Sequence, residues 1–82
     1  MGDTGGTAAL YDLKGLKCPL PVLKTRRRMK DMAVGDALFI ETNDPLAGID
    51  IPHFCREDGH TIVSSEKTGD GHRFLIRKGP AG

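Results

Sequence analysis

Residues 15–21 read Gly-Leu-Lys-Cys-Pro-Leu-Pro, and this stretch predicts that a helix starts directly after a cysteine. A proline has no amide hydrogen and its ring fixes φ near the helical value, so it fits a first helical turn and disrupts later ones. Pro19 is therefore predicted to be the first helical residue and Pro21 the third. This reading places Cys18 at the N-cap of the helix.

Cys18 in this position predicts a reactive thiol. The unpaired amides of a first helical turn and the positive end of the helix dipole favour a negative charge, and Lys17 adds a neighbouring cation. Both effects are expected to lower the pKa of the thiol below its ordinary value of about 8.5, and the thiolate is the reactive form. The alternative is a small buried cysteine that merely precedes a proline.

The pattern on either side of this stretch predicts alternating strands and helices. Strands are predicted at 9–13, 37–42, 61–67 and 73–78, and helices at 19–32 and 46–58. Gly59 is the expected end of the second helix. Because Pro52 lies inside that helix, an irregular first turn at 46–50 and a regular helix from Pro52 are expected.

The order strand, helix, strand, helix, strand, strand predicts an α+β two-layer sandwich. Both helices are expected on one face of a four-stranded mixed sheet. One apolar face of the first helix would pack on it, formed by Val22, Thr25, Met29, Met32 and Ala33. Residues 8–79 are predicted to form a single domain, with flexible tails at 1–7 and 80–82.

Composition narrows the function classes. The chain has 82 residues, two cysteines and a net charge of +1, so it does not resemble a generic nucleic-acid-binding protein. The acidic, glycine-rich start is unlike a secretory signal, and no apolar run has the length of a membrane span. A reducing cytoplasm with free thiols is therefore the expected environment, with no membrane partner.

The second cysteine and the histidines carry weaker signals. Cys55 lies in the predicted second helix and is expected to be buried structural filler, since free cysteine is among the most buried residue types. Nothing sets the geometry for a Cys18–Cys55 disulfide. The three histidines and two cysteines lack the local pairs typical of structural zinc, so no metal and no cofactor are predicted.

Residues 25–30, Thr-Arg-Arg-Arg-Met-Lys, form the one dense basic segment. Its ordinary interpretation is a solvated helix face. Since the same helix begins beside Cys18, Arg26, Arg27 and Arg28 are predicted to dock an acidic partner surface. Arg26 falls nearer the apolar face and has packing as its alternative role.

Taken together, these residues resemble the TusA/SirA family of small sulfur-carrier proteins from Tyr11 to Gly79. The motifs that carry the resemblance lie at 15–21, 25–26, 44–45, 50–55, 59–60 and 74–79. The resemblance implies a βαβαββ sandwich like the C-terminal domain of translation initiation factor three. It also implies that Cys18 is the catalytic residue and carries a persulfide. Gly15, Lys17, Pro19 and Pro21 would then shape the helix start, and Asp44 would contact a partner.

The implied partners are a cysteine desulfurase or other persulfide donor and a downstream acceptor protein. Leu20 and Asn43 depart from the acidic residues of the tRNA-thiolation members, so delivery to tRNA thiolation, molybdenum cofactor maturation or sulfur oxidation stays open. Direct nucleic-acid binding is not expected. The alternative function is a non-catalytic interaction module, with RNA binding through Arg27, Arg28 and Lys30. A thiol redox protein is a third possibility, disfavoured because no Cys-x-x-Cys is present.

Overall fold

All six predicted elements form in the computed structural model, which describes residues 9–80. In chain order they are β1 (Ala9–Asp12), α1 (Leu20–Lys30), β2 (Ala37–Thr42), α2 (Ala47–Asp58), β3 (Thr61–Lys67) and β4 (His72–Arg77). This order confirms the predicted βαβαββ fold. The predicted tails lie outside the described residues except for Pro80, so the domain limits stay a prediction.

The sheet places the carboxyl ends of β1 and β2 side by side. Its strand order is β1-β2-β4-β3, with β1 parallel to β2 and β4 antiparallel to both of its neighbours. The strands before and after each helix therefore point the same way. Because crossovers between parallel strands are right-handed, both helices pack on one face of the sheet. The loops after β1 and β2 thus meet at one edge, where both helices begin.

The core lies between this face of the sheet and the two helices. Strand alternation directs Leu38 and Ile40 inward from β2, and Phe74 and Ile76 inward from β4. From the helices the buried apolar side chains are Met29, Ala47, Ile51, Phe54 and Cys55. The predicted face of α1 is confirmed at Thr25 and Met29, which are buried, whereas Ala33 lies beyond the helix and is exposed.

Helix α2 runs unbroken from Ala47 through Pro52, so the prediction of a regular helix only from Pro52 is wrong. The amide of Asp50 already donates to the carbonyl of Leu46 over 2.8 Å. A proline removes one backbone hydrogen bond, and the burial of Ile51 and Phe54 on either side of it holds the helix together. The helix ends as predicted at Gly59, which adopts a left-handed φ of 79°.

Neither helix within residues 9–80 has the length and apolar character needed to cross a bilayer.

Candidate functional site

Cys18 lies in the loop between β1 and α1, and the next loop along the sheet edge holds it there. The amide of Gly15, which has a left-handed φ of 89°, donates to Oδ1 of Asn43 over 2.9 Å. The amide of Cys18 donates to Oδ2 of Asp44 over 3.1 Å. The loop after β2 therefore holds the loop after β1. Gly15 and Asp44 each take part in one of these two hydrogen bonds.

The predicted N-cap position of Cys18 is wrong by one residue. Pro19 is the N-cap, with φ −98° and ψ 12°, and Leu20 is the first helical residue. The amide of Leu20 donates to the carbonyl of Lys17 over 2.8 Å, and the Cys18–Pro19 peptide bond is cis. No side chain caps the helix at Pro19, and Pro21 is buried in the first turn. Cys18 consequently stands just outside the helix and lacks the capping contact expected of it.

The thiol of Cys18 has a carboxylate as its partner. It is exposed, and its Sγ donates a hydrogen bond to Oδ2 of Asp50 over 2.8 Å. This hydrogen bond raises the pKa of the thiol above its ordinary value, and local desolvation and the charges of Asp50 and Asp44 act in the same direction. The prediction of a lowered pKa is therefore wrong for the unbound chain. The charges that shift the pKa of Cys18 are those of Asp50 and Asp44, and Lys17 is not among the causes.

Asp50 is the partner of Cys18 that the sequence reasoning did not predict. It lies in the first turn of α2 and is half-buried, 32 residues from Cys18. A carboxylate near a helix N-terminus is ordinarily explained by the helix dipole. The contact could have been predicted from the topology, because helices that follow neighbouring parallel strands begin at the same edge of the sheet. An acidic residue in that first turn faces the loop that carries Cys18.

The three arginines predicted to dock a partner have different environments. Nε of Arg26 donates to Oδ2 of Asp58 over 3.2 Å, and its guanidinium lies 5.1 Å from the centre of the Phe54 ring. Arg26 therefore links α1 to α2, as its alternative role proposed. The Arg28 guanidinium lies 5.0 Å from the centre of the Tyr11 ring. Arg27 is exposed. The three side chains do not form one continuous basic face, and partner binding by them stays a prediction.

Exposed apolar side chains lie at the starts of both helices. Leu20 and Leu23 lie in the first turn of α1 and are about half exposed, at 43% and 48%. Leu46 and Ile49 at the start of α2 are 54% and 70% exposed. All four belong to the helix ends that meet at the sheet edge carrying Cys18. We call these four residues, Leu20, Leu23, Leu46 and Ile49, the apolar rim.

Comparison with known proteins identifies the family. Residues 10–78 match the family model described as "Sulfurtransferase TusA". The chain belongs to the TusA sulfurtransferase family. The matched range begins in β1 and ends just after β4, so it contains both helices and the Cys18 loop. Family membership supports, in general terms, a role in carrying sulfur between partner proteins.

A solved structure shows that the fold is shared at low sequence identity. The crystal structure of a SirA-like protein from Desulfitobacterium hafniense superposes with a TM-score of 0.77 at 14% identity. The match covers 87% of this chain and 97% of that chain. The four-stranded mixed sheet with two helices is thus the fold of this TusA-family chain as well as of its neighbour.

Cys55 differs from Cys18 in its exposure. Its side chain is 1% exposed, and burial raises its pKa to about 12. Both cysteines are free. The prediction that Cys55 is buried is confirmed, and its role as structural filler stays a prediction. Within residues 9–80, Cys18 is the thiol of this TusA-family chain that a second protein can reach.

Among residues 9–80, no three His, Cys, Asp or Glu side chains lie close enough together to hold a metal ion.

Proposed function

We propose that this chain is a sulfur carrier that accepts sulfane sulfur as a persulfide on Cys18 and relays it to an acceptor protein. The observation that carries the proposal is the contrast between an exposed Cys18 at the edge of the domain and a fully buried Cys55. Membership of a sulfurtransferase family supports the same assignment. The donor is a cysteine desulfurase or another protein persulfide, and the relay operates in the cytoplasm.

The transfer is a thiol–persulfide exchange in which atoms and electrons balance. The Cys18 thiolate attacks the terminal sulfur of the donor persulfide and forms a new S–S bond. The donor's own S–S bond breaks, and its electron pair leaves with the donor sulfur as a thiolate. The proton that Cys18 loses passes through solvent to that thiolate. Repeating the step with an acceptor thiolate returns Cys18 to its starting state, with no net oxidation of the carrier.

The apolar rim supports the proposal that a donor protein and an acceptor protein bind the carrier one after the other. Exposed apolar side chains around a reactive group are typical of protein interaction sites. Here four of them lie at the starts of α1 and α2, at the same edge of the sheet as the loop that carries Cys18. A docked partner would cover the rim and bring its own sulfur to Cys18. Leu20 belongs to this rim and replaces an acidic residue of the tRNA-thiolation members, so we expect a partner with an apolar contact at that position.

The test is intact mass spectrometry after incubation with a cysteine desulfurase and free cysteine. We expect the wild-type chain to gain the mass of one sulfur atom and the Cys18→Ser variant to gain none. The matched control is Cys55→Ala, which removes the other thiol and should gain sulfur like the wild type. Sulfur that persists in folded Cys18→Ser and disappears in Cys55→Ala would reverse the assignment.

A further inference from the structure

The hydrogen bond between Cys18 and Asp50 requires a proton on the thiol. Sγ is the donor and Oδ2 of Asp50 is the acceptor, 2.8 Å away. If the thiol ionises, the donor is lost and two negative charges face each other at the same separation. The contact therefore favours the neutral thiol and opposes the form that attacks sulfur.

Asp50 is held in this position by its own helix. Its amide donates to the carbonyl of Leu46, and the first turn of α2 favours a negatively charged carboxylate. The opposite loop is held by Asp44, whose Oδ2 accepts the amide of Cys18. The backbones that carry the thiol and the carboxylate are thus each held by a hydrogen bond, one in the loop after β1 and one in α2.

The charged groups around the thiol are predominantly negative. Asp50 faces it from α2 and Asp44 faces it from the loop after β2. Helix α1 has no acidic residue in its first turn, and its first charged side chain is Lys24. Lys17 precedes the cysteine and is exposed. No residue among 9–80 forms an ion pair with Asp50.

We propose that Asp50 is a positioning residue that keeps Cys18 protonated in the unbound carrier until a cationic group of the sulfur donor pairs with that carboxylate. This inference rests on the proposed function for its biological meaning. A cation on Asp50 withdraws the acceptor from the thiol and neutralises the charge that opposes ionisation. The thiol proton then leaves to solvent, and the thiolate attacks the donor's terminal sulfur as described above. In the free carrier the protonated Cys18 thiol reacts slowly with small electrophiles. The thiol ionises only when the donor is bound.

The first test measures alkylation of Cys18 by iodoacetamide between pH 6 and pH 10, followed by mass spectrometry of the Cys18 peptide. Because only the Cys18 peptide is measured, alkylation of Cys55 does not affect the result, and no sulfur donor is needed. We expect Asp50→Asn to lower the pH midpoint and to raise the rate constant at pH 7 by about threefold or more, because the thiolate fraction grows faster than its nucleophilicity falls. Asp31→Asn is the matched control, since it removes one exposed carboxylate at the far end of α1. Its profile should follow the wild type.

The second test addresses the cationic partner. Methanethiosulfonate reagents that carry either an ammonium or a sulfonate group are reacted with Cys18, and the ratio of their rate constants is taken. Asp50→Asn should lower the ratio of cationic to anionic reactivity, and Asp31→Asn should leave it unchanged. Raised ionic strength should reduce the effect of Asp50 in the wild-type chain.

These outcomes separate the inference from the proposed function. Circular dichroism establishes that Asp50→Asn is folded, and Asp50→Ala provides a second variant that removes both charge and acceptor. Unchanged midpoints and reagent ratios in either folded variant would overturn the role of Asp50, even if Cys18 accepts sulfur from a desulfurase. Lowered midpoints with no sulfur transfer would instead contradict the proposed function and leave the control of Cys18 by Asp50 established.

Discussion

His60 connects the end of α2 to the segment after β4 through one ring nitrogen. Nδ1 accepts the amide of Gly79 over 3.0 Å, and the ring packs at 5.4 Å from the centre of Phe54. Burial lowers the pKa of His60 below its ordinary value, the charge of Lys78 lowers it further, and Asp58 opposes both. An Nδ1 that accepts a hydrogen bond carries no proton, so the ring is neutral in the folded chain.

The neutral ring predicts that mild acid destabilises the fold. Since the pKa of His60 is lower in the folded state, the unfolded state binds more protons as pH falls below about 6.5. The free energy of unfolding should therefore fall between pH 7 and pH 5.5. We expect His60→Asn to flatten this dependence, because Oδ1 of asparagine can accept the same amide without titrating.

Urea unfolding of both proteins across that pH range checks the prediction. Glu41, whose pKa is lowered first by its hydrogen bond from Arg73, loses its contribution only in more acid solution. The two effects are therefore separated in pH. Parallel curves for wild type and His60→Asn would show that His60 does not set the acid limit.

Sequence reasoning at this scale was accurate where a residue's role is local. Gly59 needs a left-handed φ that glycine adopts readily, and the fate of Cys55 follows from its position in an apolar helix. The neutral state of His60 depends on Gly79, and the state of Cys18 depends on Asp50. Both partners are distant in sequence, so the local pattern did not reveal them, and it predicted a thiolate at Cys18.

At the scale of the elements, one lysine joins the end of β4 to the end of α1. Nζ of Lys78 donates to the carbonyl of Met32 over 2.8 Å and lies 3.4 Å from that of Lys30. Its side chain is buried, with 9% exposure. The carbonyl of Lys30 lies in the last turn of α1, where carbonyls have no partner within the helix and carry partial negative charge, and that of Met32 lies just beyond the C-cap. The buried ammonium of Lys78 gives these carbonyls a hydrogen-bond donor and places a positive charge at the helix C-terminus.

Replacing Lys78 by methionine keeps the apolar stem and removes the charge and the donors. We expect the free energy of unfolding to fall by about 2 kcal/mol, the size of a charged hydrogen bond combined with a favourable helix-dipole contact. Lys24→Met, at an exposed position of α1, should change it by less than about 0.5 kcal/mol. Denaturant midpoints at constant slope provide the measurement. Equal losses in the two variants would contradict the capping role.

The boundaries of the elements were predictable to within one or two residues, and their contacts were not. Alternation in β2 and helical spacing in α1 are properties of the chain itself, and they located the core face of each. The start of α1 differed because Pro19 takes a φ of −98° outside the helix. Pro52 does not delay the start of α2, since packing of the flanking residues compensates for one missing amide.

At the scale of the whole molecule, the topology brings the candidate site residues together at the carboxyl ends of β1 and β2. Parallel pairing of β1 with β2 brings the loops that follow them together, and both helices start there. The edge then holds Cys18, its two carboxylates and the apolar rim. The basic residues of α1 lie towards the other end of that helix, where Arg27, Arg28 and Lys30 occupy the last turn. The apolar rim and the basic residues therefore lie on different parts of the surface.

This separation predicts that Arg27 affects the speed of encounter and not the chemistry of Cys18. Arg27 is exposed, whereas Arg26 is paired with Asp58 and Arg28 lies over Tyr11, so reversal of charge at Arg27 disturbs the fold least. We expect Arg27→Glu to accept sulfur from a desulfurase about twofold to tenfold more slowly at low ionic strength, with the difference vanishing as salt rises. The iodoacetamide rate of Cys18 should be unchanged.

Arg56→Glu is the matched control for Arg27→Glu. Arg56 is also an exposed arginine in the last turn of its helix, so both substitutions change the net charge equally and meet a helix C-terminus in the same way. The two variants differ in whether the charge lies on α1 or on α2. If attraction to the donor is local to α1, Arg56→Glu transfers sulfur at nearly the wild-type rate. Equal slowing in both variants would mean that the donor responds to the total charge of the chain, and salt-insensitive transfer by Arg27→Glu at the wild-type rate would mean that the basic segment is a solvated face.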